Sequence, residues 1–147
     1  MVYKIITKVI IARIKPHLDS IISPYKAAFI LGRRGTNNII IAQELIHSMD
    51  RAKGGTDYMT IKIDLEKAYD KNEWAFIREM LIEFNFLDNI IDLIMSCVSL
   101  VSISLLFNGG CLESFLPSRS IRQEDPLSPY LFILCMEYLG YLIEVKM

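Results

Sequence analysis

One segment limits the possible folds more than any other: Asp125-Pro126-Leu127-Ser128-Pro129, continued by an apolar run to Ile143. An Asp carboxylate suits the free N–H groups of a starting helix, and Pro is tolerated in its first turn. The run that follows is apolar on nearly every face, so its helix belongs inside a core. It is short for a membrane span and carries Glu137 near its middle, where hydrocarbon penalises a charge. Such a helix must be surrounded by other elements. With 147 residues, 52% of them hydrophobic, the chain can build one compact domain or a piece of a larger one.

The remaining pattern predicts an α+β plan, a short antiparallel sheet packed with helices. Residues 2–15 have helical spacing, with Val2, Ile5, Ile6, Val9, Ile10 and Ile14 on one stripe, interrupted at Pro16. Residues 17–36 are broken by Pro24, Gly32 and Gly35 and put Arg33-Arg34 at a turn. Asn37 or Asn38 can cap a helix to about Arg51, with Ile39, Ala42, Ile46 and Met49 on one face and Lys53-Gly54-Gly55 at its end. Tyr58 to Leu65 alternates as a strand does: Met59, Ile61, Ile63 and Leu65 on one face, Tyr58, Thr60, Lys62 and Asp64 on the other. Helical spacing returns from about Glu73, through Trp74, Ile77, Met80, Leu81 and Phe84, and again from Asp88 to about Val98. Val101 to Phe107 followed by Asn108-Gly109-Gly110 predicts a hairpin, and Ser118 to Glu124 a polar loop or short strand.

Charge is divided unevenly. Residues 1–36 carry seven basic side chains and one acid, a net of +6, whereas residues 37–147 carry a net of −7. A basic surface beside an acidic, metal-binding centre fits this division, and so do ordinary solvated helix faces. Cys97, Cys111 and Cys135 form no C-x-x-C pair and stand in no zinc-ligand spacing with His17 or His47. They read as free thiols without a disulfide partner in a reducing, intracellular compartment, nuclear or cytoplasmic. The N-terminus has lysines inside its apolar run and is no secretory signal, and no membrane anchor is expected.

Three local features carry chemistry. Asp64 ends an apolar strand pattern, where a carboxylate suits Mg²⁺, a hard cation with oxygen ligands; it equally suits a cap for a helix starting at Leu65. Ile121-Arg122-Gln123-Glu124-Asp125-Pro126 contains a helix start that accounts for Asp125 and Pro126 but not for Arg122 and Gln123. Gly32-Arg33-Arg34-Gly35 sets arginines between glycines just before a helix, which suits phosphate, or else forms a solvated basic turn.

In order and detail the three features resemble the reverse transcriptase domain of non-LTR (long-interspersed-element type) retrotransposons, most closely those of plants. Val2 to His17 is similar to the family segment that precedes the fingers. Phe29 to Asn38 resembles its fingers motif. Ile63 to Trp74 resembles the first palm motif, Asp-Leu-Glu-Lys-Ala-Tyr-Asp-x-x-x-Trp, and Arg122 to Pro129 resembles Arg-Gln-Gly-Asp-Pro-Leu-Ser-Pro. The resemblance covers essentially the whole chain and implies a fingers/palm fragment, about 1–57 fingers-like and 58–147 palm-like. It implies an RNA-directed DNA polymerase acting on an RNA template and a DNA primer with dNTPs. Asp64 then matches the catalytic aspartate that binds Mg²⁺, aided by the backbone carbonyl of Leu65. Tyr69 would lie beneath the sugar of the incoming nucleotide. Arg33 or Arg34 would meet phosphates, Gln123 the nascent base pair and template, and Arg122 the template. Glu66, Lys67 and Asp70 carry no settled role; Lys67 and Asp70 suit a pair across a helical turn.

The sequence departs from the family pattern in five ways. It contains no adjacent Asp-Asp, the family's second catalytic motif, and no thumb is expected. Leu31 stands in place of Pro, Asn37 in place of Asp, and Glu124 in place of a Gly that lets nucleic acid approach. The expectation is a truncated polymerase fragment that is inactive alone and binds Mg²⁺ weakly. The alternatives are a non-catalytic nucleic-acid-binding or interaction domain of the same descent, or a relic that folds poorly.

Overall fold

The computed structural model describes residues 2–52 and 58–146. Six α-helices and one small hairpin make up the regular structure of those residues. α1 spans Val2–Ile14 and runs through a 3₁₀ turn, Lys15–His17, into the short α2, Leu18–Ile21. α3 spans Gly35–Arg51, α4 Trp74–Glu83, α5 Asp88–Ser99 and α6 Ser128–Lys146. β1, Leu106–Phe107, pairs antiparallel with β2, Gly110–Cys111. Asn108 and Gly109 between them have φ of 48° and 81°, the left-handed pair that a two-residue hairpin turn needs. The Asn-Gly signal thus forms the turn expected of it.

α4 packs on both α5 and α6, and α1 on α5. Ile77, Met80, Leu81, Ile94 and Leu134 meet at the centre with no exposed surface. Each such side chain contributes roughly 1.5–3 kcal/mol by leaving water. This core draws on Ile10, Ile14 and Leu18 from the first part of the chain and on α4–α6 from the second.

α1 buries Ile10 and Ile14 as expected, but its buried face is turned toward Thr7 and Ile11 rather than toward the rest of the expected stripe. Thr7, Ile10, Ile11 and Ile14 are buried, whereas Val2, Ile5, Ile6 and Val9 are exposed. The helix is apolar on both sides, so hydrophobicity alone does not choose its rotation. A polar anchor does: Tyr3 donates its hydroxyl proton to the Asp125 carboxylate, and its oxygen lies 3.1 Å from the Cys97 carbonyl. Pro16 does not end the helical path. It sits in the first turn of the 3₁₀ segment, where its missing N–H is no loss, and Ile14 and His17 on either side keep helical angles.

α3 starts at Gly35, without a side-chain cap. Asn37 and Asn38 lie inside it, and Asn38 Nδ2 instead donates to the Tyr25 carbonyl at 2.8 Å. None of its residues is buried. The expected stop at Lys53-Gly54-Gly55 lies outside the described residues.

The strand expected over Tyr58 to Leu65 does not form. The segment is irregular, and Met59, Ile61 and Ile63 are 80%, 68% and 69% exposed. Alternation orients side chains, but a strand exists only where a neighbour pairs its backbone. Among the described residues no segment pairs with this one.

α6 is buried along its first half, at Leu131, Ile133, Leu134 and Cys135, and exposed at Tyr141, Ile143 and Val145. The all-round burial expected of it stops where its neighbours stop. By length and composition it is a candidate membrane span, a test that core helices also pass. Lys26 neutralises Glu137 with a 2.8 Å ion pair and also donates to the Met136 carbonyl at 2.9 Å. A Cβ at Gly140 would stand 3.3 Å from Lys26 Nζ, so glycine leaves this lysine its room.

Candidate functional site

Residues 69–74 are joined to residues 118–121. Ile121 N–H donates to the Tyr69 carbonyl at 2.9 Å, Ser120 N–H to the Asn72 carbonyl at 2.9 Å, and Trp74 N–H to the Ser118 carbonyl at 3.2 Å. Trp74 Nε1 adds a side-chain bond to the Ser120 carbonyl at 2.9 Å. Sequence reading placed Trp74 on a helix face and at the end of the palm-like motif, but gave it no partner. The one available signal was a large aromatic with an N–H to satisfy at the start of a helix.

This pairing brings the two palm-like segments together. Tyr69, Gln123, Asp125 and Pro126 line one cleft of about 390 Å³. Asp64, Leu65, Glu66 and Lys71 line a neighbouring one of about 310 Å³. Phe132 of α6 lines the Asp64 cleft, and its ring stacks on Tyr69 at 4.8 Å and 19°. The Tyr69 ring is therefore held flat by a residue that sequence reading had not singled out.

Asp64 is exposed and makes no hydrogen bond or ion pair among the described residues. It caps no helix: residues 66–71 form turns, with Asp70 N–H donating to the Lys67 carbonyl at 2.9 Å. The side-chain pair there joins Lys71 to Glu66 at 4.0 Å, rather than Lys67 to Asp70. Cys135 shares the cleft, but burial pushes its thiol up to about 12, so it stays protonated and is a poor ligand. Among the described residues no three His, Cys, Asp or Glu side chains gather to hold a metal ion.

The two arginines of the Gly-Arg-Arg-Gly turn differ. Arg33 commits its nitrogens internally: to the Asp19 carboxylate at 2.8 Å and to the carbonyls of Ile22, Ser23 and Lys26 at 3.0, 2.5 and 2.8 Å. Its guanidinium knots the loop before α3 and has no donors to spare for phosphate. Arg34 is exposed at the start of α3. Arg122 is exposed, with its guanidinium 5.0 Å from the centre of the Tyr3 ring in a cation–π contact.

Asp125 is buried and joins three parts of the site. Its Oδ1 accepts the Leu127 N–H at 3.1 Å in the turn that precedes α6, so it does not cap a helix starting at Pro126 as the Asp-Pro pair led one to expect, and its Oδ2 accepts the Tyr3 hydroxyl. Burial, then the bond to Asp125, hold the Tyr3 phenol well above its usual range. Burial likewise raises the Cys97 thiol, with the Asp125 charge adding to it.

Glu124 has φ of 67°, the left-handed region. The glycine expected there answers a backbone demand as well as any close approach of nucleic acid. A non-glycine residue in this conformation costs roughly 1–2 kcal/mol, and glycine's greater freedom when unfolded returns about 0.5–1 kcal/mol of that. Glu124→Gly is therefore expected to stabilise the fold by about 0.5–1 kcal/mol, read as a higher urea midpoint. An unchanged or lower midpoint would show that the Glu124 side chain makes a compensating contribution.

A protein-family model described as "Reverse transcriptase (RNA-dependent DNA polymerase)" matches residues 1–147. The chain is similar to the "Retrovirus-related Pol polyprotein from type-1 retrotransposable element R2" of Popillia japonica, 29% identical over 102 residues, 69% of this chain and 16% of the polyprotein. It is 34% identical over 77 residues to the corresponding "type-2 retrotransposable element R2DM" polyprotein of Drosophila melanogaster, covering 52% of this chain and 7% of that one. An uncharacterized mitochondrial protein of Arabidopsis thaliana is 57% identical over 35 residues, 24% of this chain and 29% of its own length. The chain thus matches only a small part of either polyprotein.

Proposed function

Because the chain belongs to the reverse transcriptase (RNA-dependent DNA polymerase) family, we propose that residues 1–147 form the nucleotide- and template-facing part of a retrotransposon RNA-directed DNA polymerase. The observation that carries this is the pairing of 69–74 with 118–121. It sets Tyr69 and Gln123 on one cleft and Asp64 on the next. In this reading Tyr69, flattened against Phe132, supports the sugar of the incoming nucleotide. Gln123 faces the base pair and template, and Arg122 and Arg34 meet phosphates. The phosphate role falls to Arg34 rather than Arg33, whose donors are already committed.

The family uses divalent metal ions. Asp64 and the Leu65 carbonyl would supply two oxygens to Mg²⁺. That does not fit a two-ion centre, which needs several carboxylates. We read these residues as one part of a shared site that does not turn over alone.

The test uses poly(rA) annealed to oligo(dT). Residues 1–147 are expected to bind it with salt-sensitive affinity and, with Mg²⁺ and dTTP, to extend no primer. Arg34→Ala is expected to weaken binding severalfold and reduce the salt slope by about one, as loss of one phosphate contact does. Arg33→Ala is expected to lower the melting temperature instead. Binding that ignores salt would sink the nucleic-acid reading. Extension abolished by Asp64→Ala would overturn the shared-site reading.

A further inference from the structure

Gln123 and Glu124 are exposed, in a loop whose two ends meet the same side chain. At one end the Arg122 guanidinium lies 5.0 Å from the centre of the Tyr3 ring. At the other the buried Asp125 carboxylate accepts the Tyr3 hydroxyl. Tyr3 belongs to α1, 122 residues away from Asp125 in sequence. Its ring packs, partly buried, against the core, and its oxygen also lies 3.1 Å from the Cys97 carbonyl of α5. The loop closes on itself as well: Asp125 N–H donates to the Arg122 carbonyl at 3.4 Å, and Ser128 Oγ donates to the same oxygen. Between these points Glu124 takes a left-handed φ of 67°, so backbone preference alone does not hold the loop in place.

We propose that Tyr3 is a positioning residue for template binding: by holding Arg122 through its ring and Asp125 through its hydroxyl, it fixes the exposed loop that carries Gln123. The proposal rests on the polymerase reading above and adds a residue to it. A cation–π contact draws on the charge of a guanidinium and spends none of its N–H donors, so Arg122 keeps them for phosphate. An arginine free to rotate gives up that freedom when it meets a phosphate, at a cost of roughly two- to tenfold in affinity. One already held over a ring has given up part of it beforehand. The same reasoning applies to Gln123, whose loop is tied at both ends to one phenol. Tyr3 itself touches no nucleic acid in this role; it acts through Arg122 and Gln123.

The test is a double-variant cycle on the affinity of residues 1–147 for poly(rA) annealed to oligo(dT), each variant first shown to be folded by circular dichroism. Tyr3→Leu is expected to weaken binding roughly two- to tenfold. In an Arg122→Ala background it should cost at least about twofold less, because the two side chains act together, whereas its effect should multiply with that of Arg34→Ala, outside the loop. Lost packing alone would cost the same in both backgrounds. The Arg122 Nε–H resonance, shifted by the Tyr3 ring, should move in Tyr3→Leu and stay in Tyr3→Phe, which keeps the ring and loses the hydroxyl. Tyr3→Phe should instead speed amide exchange at Leu127, whose N–H is bonded to the Asp125 carboxylate, by at least about threefold. Equal losses from Tyr3→Leu in the parent and Arg122→Ala backgrounds overturn the proposal. So does an Arg122 resonance that Tyr3→Leu leaves in place, or, should Tyr3→Leu not fold, unchanged Leu127 exchange in Tyr3→Phe. A parent that binds no primer-template while the Arg122 resonance still moves sinks the polymerase reading, and the template role of Tyr3 with it; the moving resonance tells that failure apart from a loop that Tyr3 does not hold.

Discussion

Trp74→Ala is expected to cost about 3 kcal/mol, at the low end for removing a large aromatic because the indole is only half-buried. The loss has two parts. The ring packs against the core, and its Nε1 bonds the Ser120 carbonyl at 2.9 Å across 46 residues of sequence. Trp74→Phe keeps most of the packing and removes the bond, so it should cost about 1–1.5 kcal/mol. Urea unfolding followed by circular dichroism separates the two. The alanine variant should also loosen the pairing of 69–74 with 118–121, and with it the cleft shared by Tyr69 and Gln123. Amide exchange at Ser120 and Ile121 reads that directly. Unchanged protection at both amides, with stability within about 0.5 kcal/mol of the parent, would show that the indole does not hold the segments together.

The second large effect is alkaline destabilisation. Burial raises the Cys135 thiol from 9.0 to about 12. A folded-state value above the unfolded one means that the folded protein holds its proton longer. The resulting stability is complete below pH 9 and is lost as pH rises toward 12. Three units correspond to about 4 kcal/mol over that window, or about 1.4 kcal/mol for each pH unit once the unfolded thiol is ionised. Tyr3 acts in the same direction above the ordinary tyrosine range, because burial and Asp125 hold its phenol protonated. Urea midpoints taken from pH 8 to 11 should therefore fall. Cys135→Ala should lower the midpoint at pH 8 through lost packing, then show a shallower fall with pH. Parallel slopes in the two proteins would rule out Cys135 as the source.

The elements that could be read from sequence are those whose signals are local. α4 and α5 follow the spacing of Ile77, Met80 and Leu81 and of Ile91, Ile94 and Val98, and the hairpin follows Asn108-Gly109. The features that escaped depend on partners distant in the chain. The rotation of α1 is set by Tyr3 reaching Asp125, 122 residues away. The Tyr58–Leu65 pattern was strand-like, but pattern does not supply a neighbour. Arg33 looked available because its acceptors are mostly backbone carbonyls, which no residue letter reveals. For the site, the order of Asp64, Tyr69 and Gln123 was visible in sequence. The hydrogen bonds between 69–74 and 118–121 that place Tyr69 beside Gln123 were not.

α6 changes character along its length. Leu131, Leu134 and Cys135 are sealed against other elements, whereas Tyr141, Ile143 and Val145 face solvent. One continuous helix therefore spans two regimes of cooperativity. Amides near Leu134 can exchange only when the core itself opens, whereas those near Ile143 exchange whenever the last turns unwind. Its protection factors should descend from the first half to the second, making this helix a ruler on which whole-domain opening and local fraying are read in one molecule.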